Sequence, residues 1–273
     1  METKNKKEKV KGRSRGLSAG IVVFLCAIIA YCLWQFVFGD PARFVNNDPN
    51  NHPLPGDTLA LIYKGGFNVV IVITLLLTVL TLSIERFIAL TKAKGKGNLI
   101  NFVANVKHKL EAGDVKGADV LCSKQKGSVA AVISAGLKKY EDMEVSNEEL
   151  SKEQKLQGIQ KDIEEATALE LPTMEQNLPV IAAISTLGTL FGLLGTVLGM
   201  IRSFSALANA GAPDSIALST GISEALINTA LGIGTGALAI ISYSFFTGKI
   251  DNITYAIDEM GFSLVQTYAE KHK

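Results

Sequence analysis

The chain has 273 residues, 48% of them hydrophobic, and a formal net charge of +1. A mean hydropathy of +0.27 is high for a soluble domain, and the near-neutral balance excludes the basic footprint of a nucleic-acid binder. Three cysteines make no disulfide framework. Cys26 and Cys32 lie in an apolar run and Cys122 in a Lys-rich segment, so all three read as small packing residues.

Charge is segregated along the chain, with uncharged apolar runs alternating with Lys- and Glu-rich stretches, as membrane proteins distribute it. Residues 1–17 form a basic N-terminus with Lys4, Lys6, Lys7, Lys9, Lys11, Arg13 and Arg15. A membrane span needs about 20 mainly apolar residues, and residues 18–38 (SAGIVVFLCAIIAYCLWQFVF) meet this without a charge. The run is long for the apolar part of a signal peptide, and no small-x-small cleavage site follows it. A retained helix is therefore expected. Residues 39–64, rich in Pro, Asn and Asp, read as an external loop. Residues 65–84 (GGFNVVIVITLLLTVLTLSI) are a second span, closed by Glu85 and Arg86.

Residues 85–177 are rich in Lys and read as a helical cytoplasmic domain. Leu99, Ile100, Phe102, Val103 and Val106 recur at helical spacing, and Glu111-Ala112-Gly113-Asp114 breaks the pattern before Ala118 to Cys122. A further stripe runs through Val129, Val132, Ile133 and Leu137. From Glu148 a longer amphipathic helix carries Leu156, Ile159, Ile163, Ala166 and Leu169, with Pro172 and Pro179 as expected kinks on the way into the third span. That span covers 178–204. The link 205–221 has no Lys or Arg and is expected outside. The fourth span covers 222–247 and is apolar apart from Glu224. In the tail, 248–273, Ile250, Ile253, Ile257, Met260, Leu264 and Tyr268 continue the helical spacing. The Lys/Arg bias of all five connecting segments agrees with one topology, both termini cytoplasmic. The expected fold is all-α and multi-pass, with four membrane spans. Its long third and fourth helices extend into the cytoplasm, where their apolar stripes require partners.

The third span places Ser185, Thr189, Thr196 and Ser203 on one face, with Gly192, Gly195 and Gly199 available for close packing. A polar stripe facing lipid is costly, so it should face another helix or a watery interior. In the fourth span Thr229, Gly232 and Gly236 form a small-residue stripe, and Glu224, Asn228 and Thr235 an adjacent polar one. A carboxylate at membrane depth marks either an ion path or a buried pairing. Catalytic constellations are not in evidence: His52, His108 and His272 all lie outside the spans, and no Asp lies within one. No inverted repeat points to a solute transporter, and no cofactor or metal is expected.

The segments GLLGTVLGM (192–200) and EALINTALGIG (224–234) resemble the paired signatures of the MotA/TolQ/ExbB proton-channel family, most of all its ExbB members. The IER at 84–86 and the AGDVKGADVLC at 112–122 are similar to ExbB and TolQ sequences as well. The likeness runs from about residue 60 to 250. It implies a homopentamer in the bacterial inner membrane, its last two helices lining a pore around the single-span helices of an ExbD dimer. In such a complex the partner helix carries the proton-bearing aspartate, and proton flow drives a motor that acts through TonB on outer-membrane receptors. A TolQ-like role in envelope integrity is the alternative. The family's pore-facing threonines match Thr196 and Thr229, and its membrane glutamate matches Glu224. The extra basic N-terminal helix departs from the three spans common in such proteins and leaves the role of residues 1–60 open.

Overall fold

A computed structural model describes residues 18–145, 150–209 and 215–272. Of the described residues 88% are helical and none forms a strand. Helix α1 (Ala19–Cys32) runs into a π-helical turn, Leu33–Phe38, and two short 3-10 turns follow before α2 (Thr58–Lys64). Then come α3 (Phe67–Lys94), α4 (Leu99–Glu111), α5 (Val115–Gln125), α6 (Gly127–Val145), α7 (Lys152–Glu175), α8 (Leu178–Asn209) and α9 (Ser215–Lys271). Among the described residues, four helical stretches are long and apolar enough to cross a membrane, falling on α1, α3, α8 and α9. Local chemistry sets the starts of the shorter helices. Asp57, Asn98 and Asp114 accept backbone N–H groups at the starts of α2, α4 and α5. Ser151 and Gln154 form a reciprocal capping box on α7.

Helix α1 lies along α3, burying Val22, Cys26 and Ala30, with Cys26 Sγ 3.8 Å from Thr81 Oγ1. Cys32 is exposed, contrary to its reading as a packing residue. Six positions beyond Cys26, at about 100° per residue, it is turned off the buried face. In the segment expected to be cytoplasmic, α4 to α7 and the end of α9 share one core. Phe102, Val106, Cys122, Ile133, Leu137, Ile159, Ile163 and the whole predicted tail stripe from Ile250 to Tyr268 are buried there. Burial pushes the Cys122 thiol up to about 12. Two members of the predicted stripes fall outside: Ile100 and Leu169 are 77% and 73% exposed.

The turn between α7 and α8 sits at Gln176–Asn177, where Asn177 takes a left-handed φ of 66°, and at neither expected proline. Pro172 is carried inside α7. Pro179 lies in the first turn of α8, where its missing N–H is no loss. Buried Arg86 secures this break from α3. Its Nη1 donates to the carbonyls of Thr173 and Met174 at 3.1 Å each, which the end of α7 would otherwise leave unpaired. Its Nε donates to Glu85 Oε2 at 2.6 Å, and that oxygen also accepts from Asn177 Nδ2 at 3.3 Å.

Helix α9 is continuous for 57 residues, about 85 Å at 1.5 Å per residue. It runs antiparallel to α8 across a glycine seam. A Cβ built on Gly232 would lie 2.5 Å from both the Gly188 carbonyl oxygen and Gly192 Cα. On Gly192 it would lie 3.0 Å from Gly232 Cα, on Gly236 2.7 Å from the Ser185 carbonyl oxygen, and on Gly199 2.7 Å from Ala225 Cβ. Backbone thus meets backbone, the close approach that small residues permit where lipid leaves no hydrophobic force between helices. Gly234, on the far side of α9, faces open space.

Two outcomes follow for stability in detergent, read by thermal unfolding. Gly232→Ala lowers the midpoint, whereas Gly234→Ala leaves it unchanged or raises it, since alanine gains up to about 1 kcal/mol of helix propensity where nothing is in the way. Arg86→Leu strands Glu85 and two helix-end carbonyls and costs about 3–5 kcal/mol, the range for breaking a buried charge pair.

Candidate functional site

The seam decides where the polar side chains of the two helices go. Ser185, Thr189, Thr196 and Ser203 each lie within reach of a carbonyl one turn back in α8, at 2.6, 3.4, 3.4 and 2.9 Å. Thr235 does the same in α9 at 2.8 Å. Hydroxyls satisfied in this way can sit at a helix contact without an unpaired polar group. The Thr196 and Thr229 hydroxyls touch each other across the seam, and Thr229 Oγ1 also reaches the Gly192 carbonyl at 3.1 Å. Both threonines are only half-buried. The pair therefore stands at an open edge of the hairpin, where exposed Leu193, Val197, Leu226 and Ile233 continue the surface. Of the residues singled out from the sequence, Ser185, Thr189, Gly192, Thr196, Gly199, Thr229, Gly232 and Gly236 are all brought together along this seam.

Gly195, Asn228 and Glu224 belong to a second group, on the side of the hairpin that meets α2 and α3. Asn228 is buried and its Nδ2 donates to the Gly65 carbonyl at 3.3 Å. Asn68, at the start of α3, is buried beside it and donates to the Phe191 carbonyl at 2.9 Å. A Cβ on Gly195 would lie 2.6 Å from both Asn228 Cβ and Asn68 Nδ2. The glycine makes room for two carboxamides rather than for a helix backbone. One turn along α9 from Asn228, half-buried Glu224 is within electrostatic reach of Lys64, at the end of α2, and of Arg202, at the end of the third span. Lys64 donates to the Asn50 carbonyl at 3.0 Å and lies 5.6 Å from the Phe44 ring centroid. Burial holds its ammonium below the ordinary lysine value, opposed by the negative charges of Glu224 and Asp48.

Lys64, Gly65, Asn68, Gly188 and Arg202 were not singled out from the sequence. Gly188 stands one turn before Gly192 and extends the same spacing, and Asn68 is a lone carboxamide in an apolar run, so both carry a signal. Lys64 and Arg202 read as ordinary span-end charges, and only the packing of α2 and α3 on the hairpin gives them a partner. Chemically, the arrangement offers a row of hydroxyls along the seam and one carboxylate on the side of the hairpin that meets α2. Hydroxyls donate and accept, and a carboxylate can take up and release a proton. Neither group alone supplies a catalytic nucleophile with its base.

Comparison with known proteins converges on the same segment. The sequence profile of the MotA/TolQ/ExbB proton channel family matches residues 124–259, from the end of α5 through the hairpin into the tail of α9. The Tol-Pal system protein TolQ of Pseudomonas aeruginosa is 32% identical over 94 residues, covering 34% of this chain and 41% of that protein. The putative biopolymer transport protein ExbB-like 3 of Synechocystis is 36% identical over 86 residues, covering 31% of this chain and 41% of that one. The biopolymer transport protein ExbB of Pseudomonas putida is 30% identical over 110 residues, covering 40% and 33%. The chain thus matches less than half the length of each of these relatives, and their names divide between TolQ and ExbB. With four helices among the described residues long and apolar enough to cross a membrane, a Thr-bearing glycine hairpin and this profile, the chain belongs to the MotA/TolQ/ExbB proton channel family.

Proposed function

We propose that this chain is an ExbB-like subunit of a proton-driven motor in the bacterial inner membrane, with both termini cytoplasmic. The observation that carries this reading is the contact of Thr196 and Thr229 across a glycine seam, at an open edge of the hairpin formed by α8 and α9. In this reading five copies place that edge around a central pore. The half-exposed threonine pair, with Ser185 and Thr189 further along the seam, then lines a path for protons. The chain supplies the polar lining, and a second, single-span protein of the ExbD kind, present as a dimer in the pore, supplies the titrating aspartate. Asn228, buried against Gly65, holds the hairpin to the start of α3 beside that path, and Glu224 stands one turn beyond it. The apolar surface left exposed beside the threonines, including Leu193, Val197 and Ile233, is what an assembly or the partner helix would cover. Proton flow would then be passed, through a TonB-like protein, to transport across the outer membrane.

A TolQ-like role in the envelope-integrity system is the second reading, favoured by the 32% identity to the Pseudomonas aeruginosa TolQ. The two readings share the pore and differ in what the motor drives. Loss of the gene separates them, since nutrient starvation follows from an ExbB role and detergent sensitivity from a TolQ role.

Thr196→Val and Glu224→Gln should each abolish energised uptake while leaving the complex assembled, as judged by its mass after gentle extraction. Normal uptake in both variants would count decisively against the motor.

A further inference from the structure

The stretch between α1 and α3 folds as a compact cap on one end of the hairpin. Trp34 stacks on Tyr63 with ring centroids 4.7 Å apart, and its Nε1 donates to the Tyr63 carbonyl at 3.1 Å. Tyr63 in turn meets the edge of Phe44 at 5.5 Å, and Phe44 is 2% exposed. Arg43 pairs with Asp57 at 2.9 Å and donates to the Val37 carbonyl at 3.1 Å, while Asp57 also caps α2. Gly39 is close enough to Tyr63 that a Cβ on it would lie 2.5 Å from the ring. These contacts fix α2, and Lys64 is its last residue. Asn50 and Phe44 hold the ammonium from the cap side. The next residue, Gly65, is held from the hairpin side by Asn228. Glu224 projects from α9 one turn beyond that anchor.

We propose that residues 39–64 form a cap that sets Lys64 against Glu224 as its counter-cation, so that the extra N-terminal helix, through Trp34, fixes the charge at one end of the polar path. Lys64 is a positioning residue in this assignment. It acts on Glu224, and it lies outside the segment that the family profile matches. The pairing stands on the anchor of Gly65, next to Lys64, by Asn228, one turn from Glu224, and only its bearing on proton flow rests on the function proposed above. Two other charges share the locality. Asp48, in the cap, competes for Lys64, while Arg202, at the end of the third span, is a second cation for Glu224 and packs over Gly66. Arg202 belongs to the hairpin itself, whereas Lys64 reaches Glu224 only while the cap is folded.

Two measurements on the full chain in detergent test this, and neither reads proton transport. In the first, a water-soluble carbodiimide activates the Glu224 carboxyl, and attack by Lys64 Nζ forms an amide as the activated oxygen leaves with the urea. Mass spectrometry should find the Lys64–Glu224 cross-link in the unmodified sequence, and Trp34→Ala should lose it. In the second, reductively 13C-methylated protein is titrated by NMR, with Lys64→Arg identifying the Lys64 signal by its loss. Removing the anion in Glu224→Gln should lower the Lys64 midpoint by about one pH unit. Trp34→Ala should raise it towards the ordinary lysine value by exposing the ammonium. A Lys64 midpoint unmoved by Glu224→Gln but moved by Asp48→Asn, with no cross-link to Glu224, would overturn the proposal and leave Lys64 as a cap residue only. A motor that fails the uptake test while the cross-link forms would sink the functional reading and leave the pairing standing.

Discussion

The close approach of α8 and α9 is the constraint on which the rest of this molecule depends. Gly188 and Gly192 meet Gly232 and Gly236 with so little space that a single methyl group would collide with backbone. In a membrane no hydrophobic force drives two apolar helices together, so contact surface must come from fit. That fit also aligns the polar residues. Thr196 and Thr229 touch because the glycines beside them let the backbones meet, and a wider spacing would separate the hydroxyls. The seam is therefore both the structural joint and the means by which a polar row is presented at an open edge.

Helix α3 holds that hairpin at two places. Near one end, Asn68 and Asn228 interlock over Gly195. Near the other, Arg86 gathers the last carbonyls of α7, Glu85 and, through Glu85, Asn177 at the turn into α8. A guanidinium suits this task because its planar fork serves several acceptors at once. A buried charge of this kind is tolerated only when its donors are used, and here they bridge the apolar bundle and the helical domain beyond it. The continuous α9 makes the same connection mechanically. One rigid helix carries both the Thr229 face and the Ile250 to Tyr268 stripe buried among α4 to α7, so displacement at one end is transmitted to the other without an intervening loop.

The N-terminal helix and its cap are built on different chemistry, in which aromatic rings and one half-buried ion pair replace glycine contact. Trp34, Tyr63 and Phe44 form a rigid stack at the level where an apolar segment ends and polar loops begin, a position suited to rings with one polar edge. Here α1 contributes more than an anchor. It buries Val22, Cys26 and Ala30 on α3 and delivers Trp34 to the residue next to Lys64.

Much of this architecture is carried by short-range patterning. Apolar runs of sufficient length and the three- and four-residue spacing of Ile250 to Tyr268 lead directly to helices long enough to span a membrane and to a buried tail, because helix formation and burial follow a period that can be counted along the chain. Thr196, Thr229 and the glycines beside them are legible for the same reason. Ile100 and Leu169 show where the count fails, since an apolar residue one step off the buried face fits a stripe loosely and is left exposed. The turn at Asn177 escapes because a left-handed Asn leaves no mark as strong as the two prolines on either side of it. What only the tertiary structure decides is partnership across the sequence: Asn68 beside Asn228, Arg86 on the end of α7, Lys64 held towards Glu224. Each joins residues from about 90 to more than 150 positions apart, and a charge or a carboxamide shows no preference in the sequence for one distant partner over another until packing removes the water that would otherwise satisfy it.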